Sequence, residues 1–121
     1  MEDVISLTNQ YLKQDSLNVQ MNKLSGAAYC LSHRYSKAIE QLQKIEAADS
    51  TYDTNYFLGM SHYGNNNYFN AIKYLKKVYQ KDSTSLSNIY YLGNAYGECF
   101  NSPKAIEYLN KGICIAQKVD S

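Results

Sequence analysis

The sequence predicts an all-α fold, an α-α superhelix of about seven antiparallel helices arranged as stacked helical hairpins. Small residues recur along the chain at intervals of 33 and 34, and between them apolar residues follow the spacing of three and four that a helix requires. No stretch keeps the period-two alternation of a strand. The recurring small residues are Gly26, Gly59 and Gly93, together with Ala38, Ala71 and Ala105, each Ala being followed by Ile.

The repeat frame divides the chain into one incomplete unit and three complete ones. A Val-Ile pair beginning at Val4 stands 34 residues before the Ala-Ile pair at Ala38, so residues 1–18 are predicted to form the second helix of a truncated preceding repeat. In each complete unit a first helix runs through the Gly and a second helix runs through the Ala. The complete repeats are predicted to cover residues 19–51, 52–85 and 86–121 of a single domain.

The second unit shows how a hairpin is encoded. Asn65-Asn66-Asn67 separates its two helices, and asparagine adopts the left-handed conformation of a tight reversal at low cost. In its second helix the apolar residues fall on one face and the lysines on another, which predicts a buried stripe and a solvated face. The predicted buried residues are Ala71, Ile72, Leu75 and Val78, and the predicted solvated residues are Lys73, Lys76, Lys77 and Lys81.

The recurring small residues are expected to have a steric role. They let the two helices of a unit approach closely, where a larger side chain would overpack the contact and cost on the order of 1–3 kcal/mol. In the third unit, Ser102-Pro103 predicts the start of the second helix, with the serine as N-cap and the proline at the first helical position.

Composition and charge exclude several classes of function. The chain has 121 residues, with 12 Lys and Arg against 11 Asp and Glu and no run of basic residues, which argues against nucleic acid or an anionic membrane as a partner. Its apolar stretches stop at about six residues, far short of the roughly 20 that cross a bilayer. The acidic start lacks the basic region of an export signal. Abundant Asn, Lys, Tyr and Ile suggest a bacterial protein, and the compartment stays open between cytoplasm and periplasm.

No catalytic, cofactor or metal site is predicted. The sequence contains no glycine-rich phosphate loop and neither the zinc-protease nor the serine-hydrolase motif. Cys30 and His33 could supply two of four zinc ligands, but no second pair lies near in the repeat frame, so packing or a surface position is the favoured interpretation. Cys99 and Cys114 are expected at opposite ends of a hairpin, beyond disulfide reach. His62 is expected to be a hydrogen-bonded core histidine.

The third unit resembles the tetratricopeptide repeat, a unit of 34 residues with characteristic Leu, Gly, Tyr and Ala positions. Leu92, Gly93, Tyr96 and Ala105 match those positions, whereas the second unit has His62 at the Tyr position. The resemblance covers almost the whole chain. It implies two-helix units stacked with a constant small rotation, and a concave face, lined by the first helices, on which ligands of this family bind.

The resemblance therefore implies a peptide-binding groove, whose residues follow from the repeat frame. Tyrosine offers a large apolar face with a hydroxyl, methionine adapts to irregular partners, and Asn94 is expected to clamp a peptide amide. The alternative is that the tyrosines pack on one another or on a missing neighbour. The candidate groove residues are Lys23, Tyr56, Met60, Tyr63, Tyr90 and Asn94.

A clamp for a terminal carboxylate, which chaperone-binding members of the family use, is not expected. Lys23 stands at one clamp position, but the other four hold Ala27, Met60, Ser87 and Tyr91. Such a clamp is strong because several charge-assisted hydrogen bonds converge on the carboxylate, and one ammonium does not replace them.

The sequence thus predicts a non-enzymatic protein–protein interaction module, without cofactor or metal, that binds a peptide or a partner helix. The alternative is a structural or regulatory spacer in a larger chain, acting by repeat stacking or self-association. The last helix places Ile106, Leu109 and Ile113 where no polar capping helix follows. We therefore also expect homo-oligomers through uncapped solenoid ends, and a longer chain from which this segment comes.

Overall fold

The computed structural model describes residues 1–120, which form seven α-helices and no strand. Ser121, the last residue of the predicted third repeat, lies outside the described residues. The predicted all-α superhelix of seven helices is confirmed. The helices are α1 Glu2–Leu12, α2 Val19–Leu31, α3 Tyr35–Gln43, α4 Tyr52–Gly64, α5 Tyr68–Lys81, α6 Leu86–Glu98 and α7 Ser102–Asp120.

The helices stack in two layers. Turns of three residues, at 32–34, 65–67 and 99–101, return the chain so that α2 and α3, α4 and α5, and α6 and α7 lie antiparallel. The Cα atoms of α2 and α4 approach within 8 Å, as do those of α4 and α6, whereas in residues 1–120 the second helices α3, α5 and α7 stay further apart from one another. The first helices therefore form the inner, concave layer and the second helices the outer layer.

Each hairpin has a very close approach at its recurrent glycine. A Cβ atom on Gly59 would lie 2.6 Å from Cδ2 of Leu75, a distance that real Cβ contacts do not reach. Leu75 is completely buried, so it has little room to move away. The predicted steric role of the glycines is confirmed, and it explains why a leucine recurs sixteen residues later. The three pairs are Gly26 with Leu42, Gly59 with Leu75 and Gly93 with Leu109.

The turns inside the hairpins each contain one residue in the left-handed region. Its φ angle is 62° at His33, 62° at Asn66 and 61° at Phe100. Asn66 confirms the prediction for the asparagine run, because asparagine tolerates this conformation. Phenylalanine does not tolerate it well. The side chain of Phe100 is 95% exposed, so burial does not compensate for the backbone strain.

The predicted N-cap of α7 is wrong by one residue. The helix begins at Ser102, and the side chain of Asn101 accepts a hydrogen bond from the backbone N–H of Lys104 over 3.3 Å. Asn101 therefore caps the N-terminus of α7, as Asn18 caps that of α2. The proline takes the second helical position rather than the first. Serine and asparagine cap about equally well, so the preference of the serine for the N-cap did not decide between the two adjacent residues.

The predicted buried stripe of α5 is largely confirmed. Leu75 and Val78 are completely buried between the layers, and Ile72 is half-buried. On the opposite face Lys77 is half-buried with its ammonium 5.4 Å from the centre of the Tyr74 ring, so the lysine stem covers an aromatic surface. The exposed residues of the predicted solvated face are Lys73, Lys76 and Lys81.

His62 is buried, as expected, but it is not fully hydrogen-bonded. Its ring stacks on Tyr74 with centroids 5.6 Å apart, and the Tyr74 hydroxyl donates a hydrogen bond to Glu46 over 2.6 Å. Nδ1 of His62 has no hydrogen-bond partner within residues 1–120. Burial lowers the pKa of His62, with Glu46 opposing this effect and Lys73 adding to it. The histidine therefore lies in the core as a neutral ring at neutral pH.

Candidate peptide-binding groove

Lys23, the predicted cation of the groove, is held in an ion pair. Its ammonium lies 3.3 Å from Oδ2 of Asp49, a nearly buried carboxylate in the loop before α4. The other oxygen of Asp49 accepts the backbone N–H of Thr51 over 3.2 Å. Burial alone would raise the pKa of Asp49, but the hydrogen bonds from Thr51 and Lys23 and the lysine charge hold it below its ordinary value. Lys23 therefore links α2 to the loop between α3 and α4.

Tyr56 and Met60 lie on α4, and both side chains are half-buried. The ring of Tyr56 stacks parallel to Tyr52 with centroids 6.3 Å apart, and Phe57 meets it edge-on at 5.6 Å. Met60 lies at the centre of the inner layer and packs against the core cluster that contains Tyr29. Both side chains thus combine internal packing with a partly accessible surface.

The structure brings Tyr63 on α4 and Asn94 on α6 together. The amide Nδ2 of Asn94 donates a hydrogen bond to the Tyr63 hydroxyl over 3.5 Å. The Tyr63 ring also meets Tyr68 edge-on at 5.4 Å and Tyr91 at 4.9 Å. Burial raises the pKa of Tyr63, and the hydrogen bond from Asn94 partly offsets that rise. This pair bridges two first helices, so an incoming peptide amide would have to compete with the tyrosine hydroxyl for Asn94.

Tyr90 is the most accessible of the predicted groove residues. Its side chain is 55% exposed, and the Tyr91 ring supports it edge-on with centroids 5.4 Å apart. Tyr90 is thus a large aromatic surface fixed in orientation by a neighbour. That combination suits an anchor for a partner side chain, because little rotamer freedom remains to be lost on binding.

Between α2 and α4 the inner layer has an open hollow of about 230 Å³. Leu24 at its edge is 51% exposed, and Phe57 lies beside it in the lining of the hollow. Leu24 and Phe57 are not among the groove residues predicted from the sequence. Both are apolar residues immediately after a predicted groove residue, and that adjacency was the available signal. The hollow is lined by Gln20, Lys23, Leu24, Ala27, Asp53 and Phe57.

The cysteines and histidines do not assemble a site in the described part of the chain. Cys30 is buried, and burial raises the pKa of its thiol. His33 is exposed, and its Nδ1 lies 2.6 Å from the Tyr35 hydroxyl. Cys99 and Cys114 are free thiols. Residues 1–120 contain no group of three His, Cys, Asp or Glu side chains placed to hold a metal ion.

None of the helices in residues 1–120 combines the length and the apolar composition that a membrane span needs.

Solved structures of MamA are similar to this chain. One crystal structure of MamA is 28% identical, has a TM-score of 0.83, and the match covers 92% of this chain and 66% of the MamA chain. The segment of MamA from position 41 to the end, from Desulfovibrio magneticus RS-1, is 19% identical with a TM-score of 0.84, covering 97% of this chain and 67% of that one. A MamA structure designated MSR-1 is 15% identical with a TM-score of 0.86.

MamA contains tetratricopeptide repeats, so the likeness shows that this chain has the fold of a tetratricopeptide-like helical solenoid. The chain spans about two thirds, 66%, of the MamA chain to which it is 28% identical. No protein-family model and no curated protein matches the sequence.

Proposed function

We propose that this chain, a tetratricopeptide-like helical solenoid, is a non-enzymatic protein-interaction module that binds a peptide or a partner helix on its concave inner layer. The inner layer consists of α2, α4 and α6, and it presents tyrosines, Met60 and the hollow beside Leu24. Such a surface supplies apolar contact area together with hydroxyl groups for the backbone of an extended or helical ligand.

The observation that supports the proposal is the exposure of Leu24 and Tyr90. Both are large side chains on the inner layer, both are more than half exposed, and both lie beside aromatic neighbours rather than in isolation. Apolar surface of this kind, grouped on one face, is typical of an interaction site. The charges nearby do not favour a strongly acidic ligand here, because Lys23 is already paired with Asp49 and Asp53 lies at the rim.

The test is selection of peptides from a phage-displayed random library on the immobilised chain, followed by affinity measurement. We expect affinities of about micromolar strength, and a loss of at least about tenfold with the double variant Tyr56→Ala, Tyr90→Ala. Tyr11→Ala, which removes an exposed tyrosine from α1, is the matched control and should leave the affinity unchanged. Nuclear magnetic resonance titration should place the largest shifts on α2, α4 and α6.

Two results would contradict the proposal. One is that no peptide is enriched, and the other is that the enriched peptides shift resonances only on the outer helices and bind the double variant normally. Circular dichroism of the variants separates loss of binding from loss of fold.

A second candidate function is a spacer that works by stacking or self-association. It is favoured by an open apolar groove of about 390 Å³ where α6 and α7 end the stack. At the other end of the stack, Leu7 and Tyr11 on α1 are exposed. The groove is lined by Leu86, Ile89, Tyr90, Leu109, Gly112, Ile113 and Ala116.

A further inference from the structure

The outer layer has a second groove, at the junction between the second and third hairpins. Its volume is about 380 Å³, and it lies between the first half of α5 and the turn that joins α6 to α7. Phe69, Ile72 and Tyr96 form its apolar walls, and the lysine side chains of Lys73 and Lys76 line it beside them. Among the residues that the structure describes, no aspartate or glutamate lines it. This groove faces away from the concave layer.

The groove exposes an aromatic side chain beside two lysines. Phe69 is 83% exposed, although the apolar groove is directly beside it. Neither Lys73 nor Lys76 forms an ion pair with any carboxylate in residues 1–120. Glu107, whose charge acts on Tyr96, is engaged by Lys104 and Lys111 at 3.3 and 3.6 Å. The groove thus combines an exposed aromatic side chain with two lysines that form no ion pair in the described residues, the ammonium of Lys73 lying 5.2 Å from the centre of the Tyr74 ring.

The preceding junction supplies an internal comparison, because the repeat frame places equivalent residues there. Thirty-three residues before Phe69, Lys73 and Lys76 stand Ser36, Glu40 and Gln43. At this earlier junction the phenylalanine and both lysines are absent, and the acidic Glu40 takes the place of a cation.

The earlier junction also differs in its internal bonds, although it too has an open hollow, of about 310 Å³, beside Ser36 and Asn65. The amide of Asn65 donates a hydrogen bond to the Ser36 hydroxyl over 3.0 Å, and Glu40 pairs with Lys37 at 3.8 Å. In the later junction Cys99 stands where Asn65 stands, 34 residues on, and cannot make the equivalent bond to Phe69. The same fold position therefore exists in a polar form that carries a carboxylate, so stacking of the hairpins does not require the phenylalanine and the two lysines of the later junction.

We propose that this outer groove is a docking site for an acidic peptide segment that presents an aromatic or aliphatic side chain. The apolar side chain fills the space between Phe69 and Ile72, and flanking carboxylates pair with Lys73 and Lys76. Charge complementarity selects the sign of the partner and speeds association, while the buried side chain supplies most of the affinity. This site is separate from the concave groove and does not depend on it.

The probe is a short blocked peptide with one phenylalanine flanked on each side by glutamates, titrated into the isotope-labelled chain at low salt. Its shifts should centre on Phe69, Ile72 and Cys99. Replacing the glutamates by glutamines, or the phenylalanine by serine, should each weaken binding at least about fivefold. Raising the salt to about physiological strength should weaken binding of the acidic peptide only.

The decisive variant carries Phe69→Ser, Lys73→Glu and Lys76→Gln, which installs the residues of the preceding junction. Binding of the acidic peptide should fall at least about tenfold. The matched control carries Leu7→Ser, Lys13→Glu and Lys44→Gln, which replace one apolar residue and two lysines at exposed positions on α1, just after α1 and just after α3, and it should bind normally. Tyr90→Ala should also bind normally.

Several outcomes overturn the proposal. These are an absence of shifts up to millimolar peptide, equal loss of binding in the control triple variant, and loss of binding with Tyr90→Ala, which would place the peptide on the concave layer or in the apolar groove between α6 and α7, because Tyr90 borders both. An oligothymidine that binds the outer groove more tightly than the acidic peptide would overturn it as well, because the lysines would then serve nucleic acid.

Discussion

Replacing glycine by alanine should change the free energy of unfolding in opposite directions at Gly59 and at Gly97. A Cβ on Gly59 would overlap the buried Leu75, whereas a Cβ on Gly97 would meet only the Cβ of Ala105, at 3.8 Å. Alanine gains helix propensity at both sites. We expect Gly59→Ala to lower the free energy of unfolding by about 1–2 kcal/mol, and Gly97→Ala to raise it by about 0.5–1 kcal/mol.

Urea unfolding followed by circular dichroism measures both values. If Gly59→Ala were as stable as the parent chain, the hairpin would be able to open at the glycine without cost. The steric role assigned to the three Gly–Leu pairs would then be incorrect.

The pH dependence of stability should trace to His62. Burial lowers its pKa below the ordinary 6.5, with Glu46 opposing and Lys73 adding to the effect. The unfolded chain then takes up a proton at a higher pH than the folded chain, so the free energy of unfolding falls as the pH drops below about 6.5. His62→Tyr should reduce this slope. Tyrosine fits, because Tyr96 stacks on Tyr108 one repeat later at the same 5.6 Å.

Urea unfolding at a series of pH values between about 7 and 5 checks the effect. His33→Asn, at the exposed turn position where the second hairpin already has Asn66, is the control. An unchanged slope in His62→Tyr would assign the acid sensitivity to another group.

For single residues, the sequence predicted the positions of the side chains but not their partners. The repeat frame placed Lys23 on the inner layer, but the ion pair with Asp49 joins residues that no local pattern relates. The frame equally placed Tyr63 and Asn94 on one surface without specifying that a hydrogen bond joins them. Periodicity determines which face a side chain occupies, whereas its partners depend on how neighbouring units are rotated.

The equivalent turns inside the second and third hairpins differ in backbone strain. Phe100 and Asn66 share the left-handed conformation, but only asparagine adopts it readily. Phe100→Asn should therefore raise the free energy of unfolding by about 1 kcal/mol, since the exposed phenylalanine ring loses no burial. Thermal unfolding of the variant measures the gain. The reverse change, Asn66→Phe, should destabilise, and a gain there would contradict the assignment of strain.

Helices were the best-predicted elements because several signals coincide in each of them. Small residues, apolar stripes and the asparagine turn all pointed to the same boundaries in α4 and α5. At α7 two capping residues stand next to each other, and the structure uses Asn101 rather than Ser102. The outer groove near Phe69 could not be predicted from the sequence. Its lysines have the spacing of an ordinary solvent-exposed helix face, and they stand out only when the equivalent residues of the preceding hairpin junction are compared with them.

For the molecule as a whole, the apolar groove between α6 and α7 predicts concentration-dependent association. Ile113 lines that groove and Ile106 lies on the same helix outside it, both with similar exposure. Sedimentation equilibrium should show oligomers of the parent chain at about 0.1 mM or above, abolished by Ile113→Glu and retained by Ile106→Glu. A monomeric parent chain at all concentrations would remove the basis of the spacer hypothesis.

The Gly–Leu pairs have a consequence for how the chain reaches its structure. Each pair closes a loop of sixteen residues within one hairpin, so the entropy lost on forming it is small, and the average sequence separation of contacts stays low. Such a chain should fold rapidly and vectorially, with an emerging hairpin able to lock before the next is synthesised. It also tolerates evolutionary gain or deletion of whole hairpins, because the tightest contact of each lies entirely inside it.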